Sequence, residues 1–149
     1  MTPIVFFARG EPKGQPRPRA FARNGIVRVY DPGTAEGWKS QVAIAAKDVL
    51  PERPLAMPVQ ISIHAGFPRP KAHYRANGLV KPAAPIYHTS KPDCDNVSKA
   101  ILDALTTIGM WGDDRQVVRL TIEKVYSEEP GAIISIMPLF STYKEGATA

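Results

Sequence analysis

The stretch DCDNVSKAILDALTTIGMWGDDRQVVRLTIEKVY, residues 93–126, changes its hydrophobic period once, and that change sets the fold class. In its first half Val97, Ala100, Ile101, Ala104, Leu105 and Ile108 recur at three- and four-residue steps, the spacing of one buried helical stripe. Gly109 ends that helix, since glycine tolerates the left-handed conformation that closes a last turn. From Val117 to Tyr126 the period falls to two: Val118, Leu120 and Ile122 alternate with Arg119, Thr121 and Glu123, as in a strand. A helix running into a strand across a short glycine-bounded turn fits a layered α+β arrangement.

Working outward, Ser127–Gly131 reads as a turn and Ala132–Met137 as a closing buried strand. Upstream, Val59–Ala65 alternates Val59, Ile61, Ile63 and Ala65 with Gln60, Ser62 and His64, a half-buried strand. Between it and Asp93, Gly66–Pro92 has no usable period and holds five prolines, at 68, 70, 82, 85 and 92. Long structureless loops are uncommon in compact domains and tend to be functional or mobile, so its ordering is expected to depend on substrate. Trp38, Val42, Ala45, Ala46 and Val49 predict a helix over Ala35–Leu50, capped by Asp31 or Thr34 and stopped by Pro51. Ile4–Ala8 reads as a buried strand, Gly10–Arg19 as a loop, and Ile26–Tyr30 as a short strand or hairpin arm. The order β-β-α-β-loop-α-β-β predicts an α+β single domain over residues 1–140, with a mixed β-sheet and two main helices packed on it. Residues 141–149 read as a frayed tail. Trp38 and Trp111 are expected in the core.

A chain of 149 residues supports one domain with one core. Its 44% hydrophobic and 22% charged residues are those of an ordinary globular protein. The net charge of +5, with a pI near 9.5, favours an acidic partner. Basic residues are segregated: Lys13–Arg28 carries five and no acid, and Arg53–Pro92 carries six and no acid. Nine of the fourteen acids lie from Asp93 onward. Carboxylates set behind basic segments suggest an enzyme acting on a polyanion. The single Cys94 excludes an intramolecular disulfide and a multi-cysteine zinc site, and fits a reducing cytosol. His64, His73 and His88 are not spaced as a zinc set. No segment approaches the roughly 20 apolar residues of a membrane span, and no basic region precedes Pro3–Phe7, so a cytoplasmic location without membrane contact is expected.

The acids themselves are the most informative residues. Asp95 or Asn96 is a natural N-cap for the second helix, but one cap does not require Asp93 as well. In an extended approach to the helix, residues two apart project to one side, so Asp93 and Asp95 can share a cation. Hard divalent ions such as Mg²⁺ take a few carboxylates together with substrate phosphate oxygens. Lys99 has a plain reading as an i,i+4 ion pair with Asp95, and a functional one as an ammonium that holds a scissile phosphate. Reversal across Gly109–Gly112 would return Asp114 toward the helix start as a third ligand, with Asp113 as a further candidate. Asp103 reads as a structural pair partner.

Together these residues resemble the RusA endonucleases, Holliday junction resolvases of phages and prophages. The resemblance lies in K-P-D-C-D-N-V-S-K-A-I-L-D-A-L (Lys91–Leu105), M-W-G-D-D-R-Q-V (Met110–Val117), Lys124, and the basic P-K-G-Q-P-R-P-R loop (Pro12–Arg19). Cys94 departs from the aliphatic residue usual between the two aspartates. The resemblance implies that Asp93, Asp95 and Asp114 are Mg²⁺-binding catalytic aspartates, with Mn²⁺ an acceptable substitute, and that Lys99 is an essential lysine. It also implies a homodimer acting on four-way junction DNA by paired symmetric nicks. Lys13, Arg17, Arg19, Arg23, Arg69, Lys71 and Lys124 are the candidate DNA contacts; phosphate contacts by such cations supply affinity rather than sequence choice. Two other readings stay open: a Mg²⁺-dependent nuclease or phosphohydrolase on another branched DNA or nucleotide, and a non-catalytic DNA-binding module.

Overall fold

The computed structural model describes residues 2–16, 19–30, 35–140 and 142. Its main sheet has four strands in the order β1-β6-β4-β5: β1 (Ile4–Arg9), β4 (Val59–Phe67), β5 (Val117–Tyr126) and β6 (Gly131–Pro138). β6 lies antiparallel to both β1 and β4, whereas β4 and β5 are parallel, so the sheet is mixed. Two helices, α1 (Glu36–Lys47) and α2 (Cys94–Thr107), complete the α+β domain.

One face of the sheet is covered and the other is open. Ile61, Ile63 and Ala65 of β4, Ile134 and Ile136 of β6 and Phe6 and Ala8 of β1 are buried together, opposite Trp38 and Val42 of α1 and Val97, Ile101 and Leu105 of α2. Alternation along each strand is what sends these residues to one side. Their neighbours Val5, Phe7 and Ile133 stay exposed on the other face. Trp111 is fully buried beside Met110, as expected of a core tryptophan.

The parallel β4–β5 pair is what positions the acidic residues. Parallel neighbours require a crossover, and here it contains the 68–92 segment and α2. Because β4 and β5 run the same way, the returning helix runs against both. The start of α2 therefore lies at the carboxyl ends of the strands, and its end lies where β5 begins.

Several boundaries differ from the sequence reading. α2 begins at Cys94, three residues before Val97, and its N-cap is Asp93, not Asp95 or Asn96. α1 is shorter than Ala35–Leu50, and its N-cap Ala35 makes no side-chain cap bond. Asp31 and Thr34, the expected caps, lie outside the described residues, as does most of 141–149. Arg19–Arg23 (β2) pairs antiparallel with Ile26–Tyr30 (β3) in a separate two-stranded sheet, where only the second arm was expected. Asn24 (φ 54°) and Gly25 (φ 76°) turn that hairpin, the Asn-Gly pair whose backbone twist suits two-residue loops.

The loop before Asp93 is built rather than open. Lys71–His73 forms a 3₁₀ turn, Tyr74 bridges Val80, and Tyr87 bridges Val125 at the outer edge of β5. Backbone bonds from Tyr126 N to Ile86 O (2.9 Å) and from His88 N to Lys124 O (3.1 Å) add residues 86–88 to the sheet edge. The absence of a hydrophobic period follows, since this segment is held by single bridges and side chains instead of a continuous ladder.

Candidate active site

Asp93 sits in extended backbone (φ −71°, ψ 157°) after the cis Lys91–Pro92 peptide, and its carbonyl accepts the Val97 N–H at 3.0 Å. Its carboxylate makes no capping bond, and Asp93 and Asp95 are both exposed. Asp95 already belongs to the first helical turn, so the two are not related by strand alternation as expected. They share the amino end of one helix instead. There the unpaired N–H groups and aligned peptide dipoles favour negative charge by about 0.3–1 kcal/mol. Ser98 is buried and donates its hydroxyl to the Cys94 carbonyl at 2.8 Å, tying down the residue between the two acids.

Lys99 is exposed one turn further along α2. The ion pairs among the described residues include none between Lys99 and Asp95, the plain reading of that spacing. Asp103 does have a structural partner: its carboxylate lies 3.8 Å from the Lys39 ammonium of α1.

The N-terminal loop closes on this helix end. The Gln15 N–H donates to the Asn96 carbonyl at 2.8 Å. A Cβ on Gly14 would lie 2.8 Å from the Cβ of Pro92 and 3.0 Å from that of Asn96, so only glycine permits the approach. The result is a cleft lined by Gly14, Gln15, Lys91, Asp93 and Asn96. In it Gln15 Oε1 is buried without a hydrogen-bond partner among the described residues. Gln15 was not among the sequence candidates. The Gly14 before it is the signal that could have found it, a glycine inside a basic Pro-rich loop marking close backbone approach.

Asp113 and Asp114 occupy the opposite end of the helix. Met110 N donates to Leu105 O at 3.0 Å and Trp111 Nε1 to Thr106 Oγ1 at 2.8 Å, which holds the chain against the last turn of α2. A 3₁₀ turn, Asp114–Gln116, follows. Asp113 caps it, accepting the Arg115 N–H at 2.8 Å, and the Arg115 guanidinium lies 3.1 Å away. The backbone bond from Arg115, then that side chain, holds the Asp113 carboxyl below its usual range. Gln116 completes the turn by accepting from Gly112 and Asp113 N–H and donating to the Leu55 and Met57 carbonyls.

Within one chain the third aspartate is therefore not returned to the first two. The 14 residues of α2 make a rod of about 21 Å between the Asp93–Asp95 end and the Asp114 end. Among the described residues no three His, Cys, Asp or Glu side chains are gathered closely enough to hold a metal ion. The donors at the first end nonetheless suit a hard cation: two exposed carboxylates, with room for water and phosphate oxygens to complete an octahedron.

The basic candidates divide. Lys13, Arg23 and Lys71 are exposed, Lys13 near Glu11 at 3.5 Å. Arg69 is turned into its own loop: it donates to Pro85 O at 2.7 Å, lies 3.4 Å from His73 Nδ1, and sits 5.2 Å over the Tyr126 ring. Lys124 is also engaged within the protein, donating to Ser90 O at 2.8 Å and Pro92 O at 2.7 Å. Arg17 lies outside the described residues, and of Arg19 only the backbone, in β2, is described. No helix among the described residues is long and apolar enough to cross a membrane.

A family model described as endodeoxyribonuclease RusA matches residues 9–137. The chain is 37% identical over 141 residues to the uncharacterized protein YqaN of Bacillus subtilis (strain 168), covering 89% of this chain and 94% of that protein. It is 28% identical over 110 residues to the crossover junction endodeoxyribonuclease RusA of Escherichia coli (strain K12), covering 74% and 76%. The enzyme of the same name from Enterobacteria phage 82 gives the same identity and coverage.

Proposed function

Since the chain belongs to the RusA family of endodeoxyribonucleases, we propose that it resolves four-way DNA junctions by Mg²⁺-dependent hydrolysis of phosphodiester bonds. The observation that carries this reading is the start of α2: two exposed carboxylates without ion-pair partners among the described residues, an exposed Lys99 one turn on, and a cleft beside them. The catalytic domain is taken as residues 1–140.

Asp93 and Asp95 hold the cation. Held there, a divalent ion would supply Lewis-acid charge that sharpens water as a nucleophile and offsets charge gathering at phosphorus. Lys99 donates to a non-bridging oxygen of the scissile phosphate, which is worth most in the transition state where that oxygen is most negative. One water oxygen bonds to phosphorus and that water gives up a proton, one ester P–O bond breaks, and the departing oxygen takes up a proton, so the proton count is unchanged. Lys13, Arg23 and Lys71 contact phosphates away from the cut. Asp113 is left out of the metal set, because its carboxylate caps the turn that carries Asp114.

Two strands must be nicked symmetrically, and a twofold homodimer supplies two sites in that relation. Dimerisation also answers the 21 Å problem. A twofold pair can lay the Asp114 end of one copy beside the Asp93–Asp95 end of the other, so that each site draws on both chains.

The test uses the purified chain with a synthetic four-way junction, matched duplex and single strand, in Mg²⁺, Mn²⁺ or EDTA. Paired nicks on the junction alone, lost in EDTA and in Asp95→Asn, are the expected result. Equal cutting of all three DNAs sinks junction selectivity, and metal-independent binding without cutting favours a non-catalytic module.

A further inference from the structure

Residues 89–92 lead directly into Asp93, yet no backbone–backbone hydrogen bond among the described residues involves any of them. Among the described residues one side chain bonds to their backbone, at Ser90 and Pro92. Lys124, on β5, directs its ammonium at three acceptors: Ser90 O at 2.8 Å, Pro92 O at 2.7 Å, and His88 Nδ1 at 3.4 Å. An ammonium has three protons, and in the tautomer of His88 that carries its proton on Nε2 the Nδ1 accepts, so this set uses all of its donors. The surroundings favour the arrangement. His88 stacks on the buried Phe67 ring (centroids 3.9 Å apart, planes at 10°) and meets Tyr126 edge-on at 5.2 Å. Burial first, then the nearby Lys124 charge, lowers the His88 pKa, which keeps a neutral ring nitrogen available to accept. Lys124 Nζ lies 5.8 Å from the Phe67 centroid, a further attraction for a cation.

We propose that Lys124 is a positioning residue for the metal-binding end of α2: its ammonium fastens the Ser90 and Pro92 carbonyls to β5 and so sets where Asp93 is presented. This rests on Asp93 being a metal ligand, as proposed above. It replaces the reading of Lys124 as a DNA contact, because an ammonium with three protein acceptors has no proton left for phosphate. The strand fixes the lysine Cα, the lysine fixes two carbonyls, and the second of these belongs to the residue before Asp93. Arginine is not an equivalent, since a planar fork cannot meet three acceptors disposed around a point charge.

The experiment compares Lys124→Met and Lys124→Arg with wild type on the full chain, using three measurements. Cys94, the only cysteine and the residue after Asp93, is a built-in reporter of this helix end through its rate of reaction with a thiol reagent. Both variants are expected to speed that reaction about tenfold, as local opening becomes easier. Both are expected to raise the Mn²⁺ concentration for half-saturation, read by the electron-spin signal of free Mn²⁺, about 10- to 100-fold, as losing an outer-shell support does. Junction binding without cleavage, in Ca²⁺, is expected to keep its salt dependence.

Unchanged Cys94 reactivity or unchanged Mn²⁺ affinity overturns the proposal. So does a salt slope reduced by about one in Lys124→Met but not in Lys124→Arg, the mark of a lost phosphate contact. If Lys124→Met fails to fold, Lys124→Arg decides. A wild-type chain that binds Mn²⁺ but cuts no junction refutes the resolvase reading, while the thiol and Mn²⁺ measurements still judge Lys124.

Discussion

The two ends of α2 carry the same kind of residue in opposite circumstances. At the start, Asp93 and Asp95 are exposed, make no capping bond and enter no ion pair among the described residues. At the end, Asp113 is consumed by a capped turn that Gln116 ties to the chain around Leu55. The first end leaves charge without an ion-pair partner among the described residues, which a helix amino terminus and solvent both favour. At the second end the Asp113 carboxylate and the Gln116 amide have their partners within the chain. Carboxylate count alone does not separate a catalytic acid from a structural one. What separates them is whether backbone donors and cations of the same chain have already claimed the oxygens.

The sharpest way to break this comparison is Asp93→Asn or Asp95→Asn. Either substitution should cut junction cleavage by at least about 10³-fold while leaving binding in Ca²⁺ intact, since charge at the metal is worth several kcal/mol and about 1.4 kcal/mol is tenfold in rate. Cleavage surviving within tenfold would move the chemistry elsewhere. Mixed dimers then ask whether the ends cooperate across copies. Combining a chain carrying Asp93→Asn and Asp95→Asn with a chain carrying Asp114→Asn rebuilds one complete site of two if sites are shared. About half of the wild-type nicking rate, on one strand only, should return. No recovery would confine each site to one chain. Lys99→Ala should cost about 10²-fold in rate with little change in stability, as loss of one transition-state donor does.

On the structural side, Gln116→Ala should lower stability by about 2–3 kcal/mol in urea denaturation, because it orphans carbonyls and N–H groups at Leu55, Met57 and Gly112. A loss of activity without a loss of stability would assign Gln116 to the chemistry. The smallest effect concerns pH. His88 has a folded pKa below its ordinary 6.5. The unfolded chain therefore takes up that proton first, and stability present above pH 6.5 is lost as pH falls toward the folded value. His88→Phe should flatten that acid limb of the urea-denaturation profile, and an unaltered limb would place the dependence on other groups.

Much of this was legible in the chain itself. Both main helices and the β4 and β6 strands follow from spacing, because burial against one face imposes a period on residues a few positions apart; β5 alternates as well, yet its Val118 and Leu120 are exposed. The D-x-D pair and Lys99 stood out for the same local reason. Other features failed for lack of local signal. The β2–β3 hairpin makes a sheet of its own, so no core face patterned it, and only Asn24-Gly25 betrayed the turn. The N-cap was misplaced by two or three residues, since Asp95 and Asn96 are as good caps as Asp93 and only the backbone dihedrals choose among them. Arg69 and Lys124 read as DNA contacts because the carbonyls they donate to are remote in sequence, although His73, four residues on, also lies 3.4 Å from the Arg69 guanidinium. Their acceptors lie 16 residues away for Arg69, and 34 and 32 residues away for Lys124.

The amino-acid sequence by itself determined the main helices, their buried stripes, the close spacing of the acids at 93 and 95 and the basic bias of the chain, all of which depend on residue type and short spacing. Tertiary structure alone decided which acids share an end of α2 and which basic side chains remain free. Those outcomes turn on the parallel β4–β5 pairing, which forces the helix to run back against the strands and so separates Asp93 from Asp114 by its whole length.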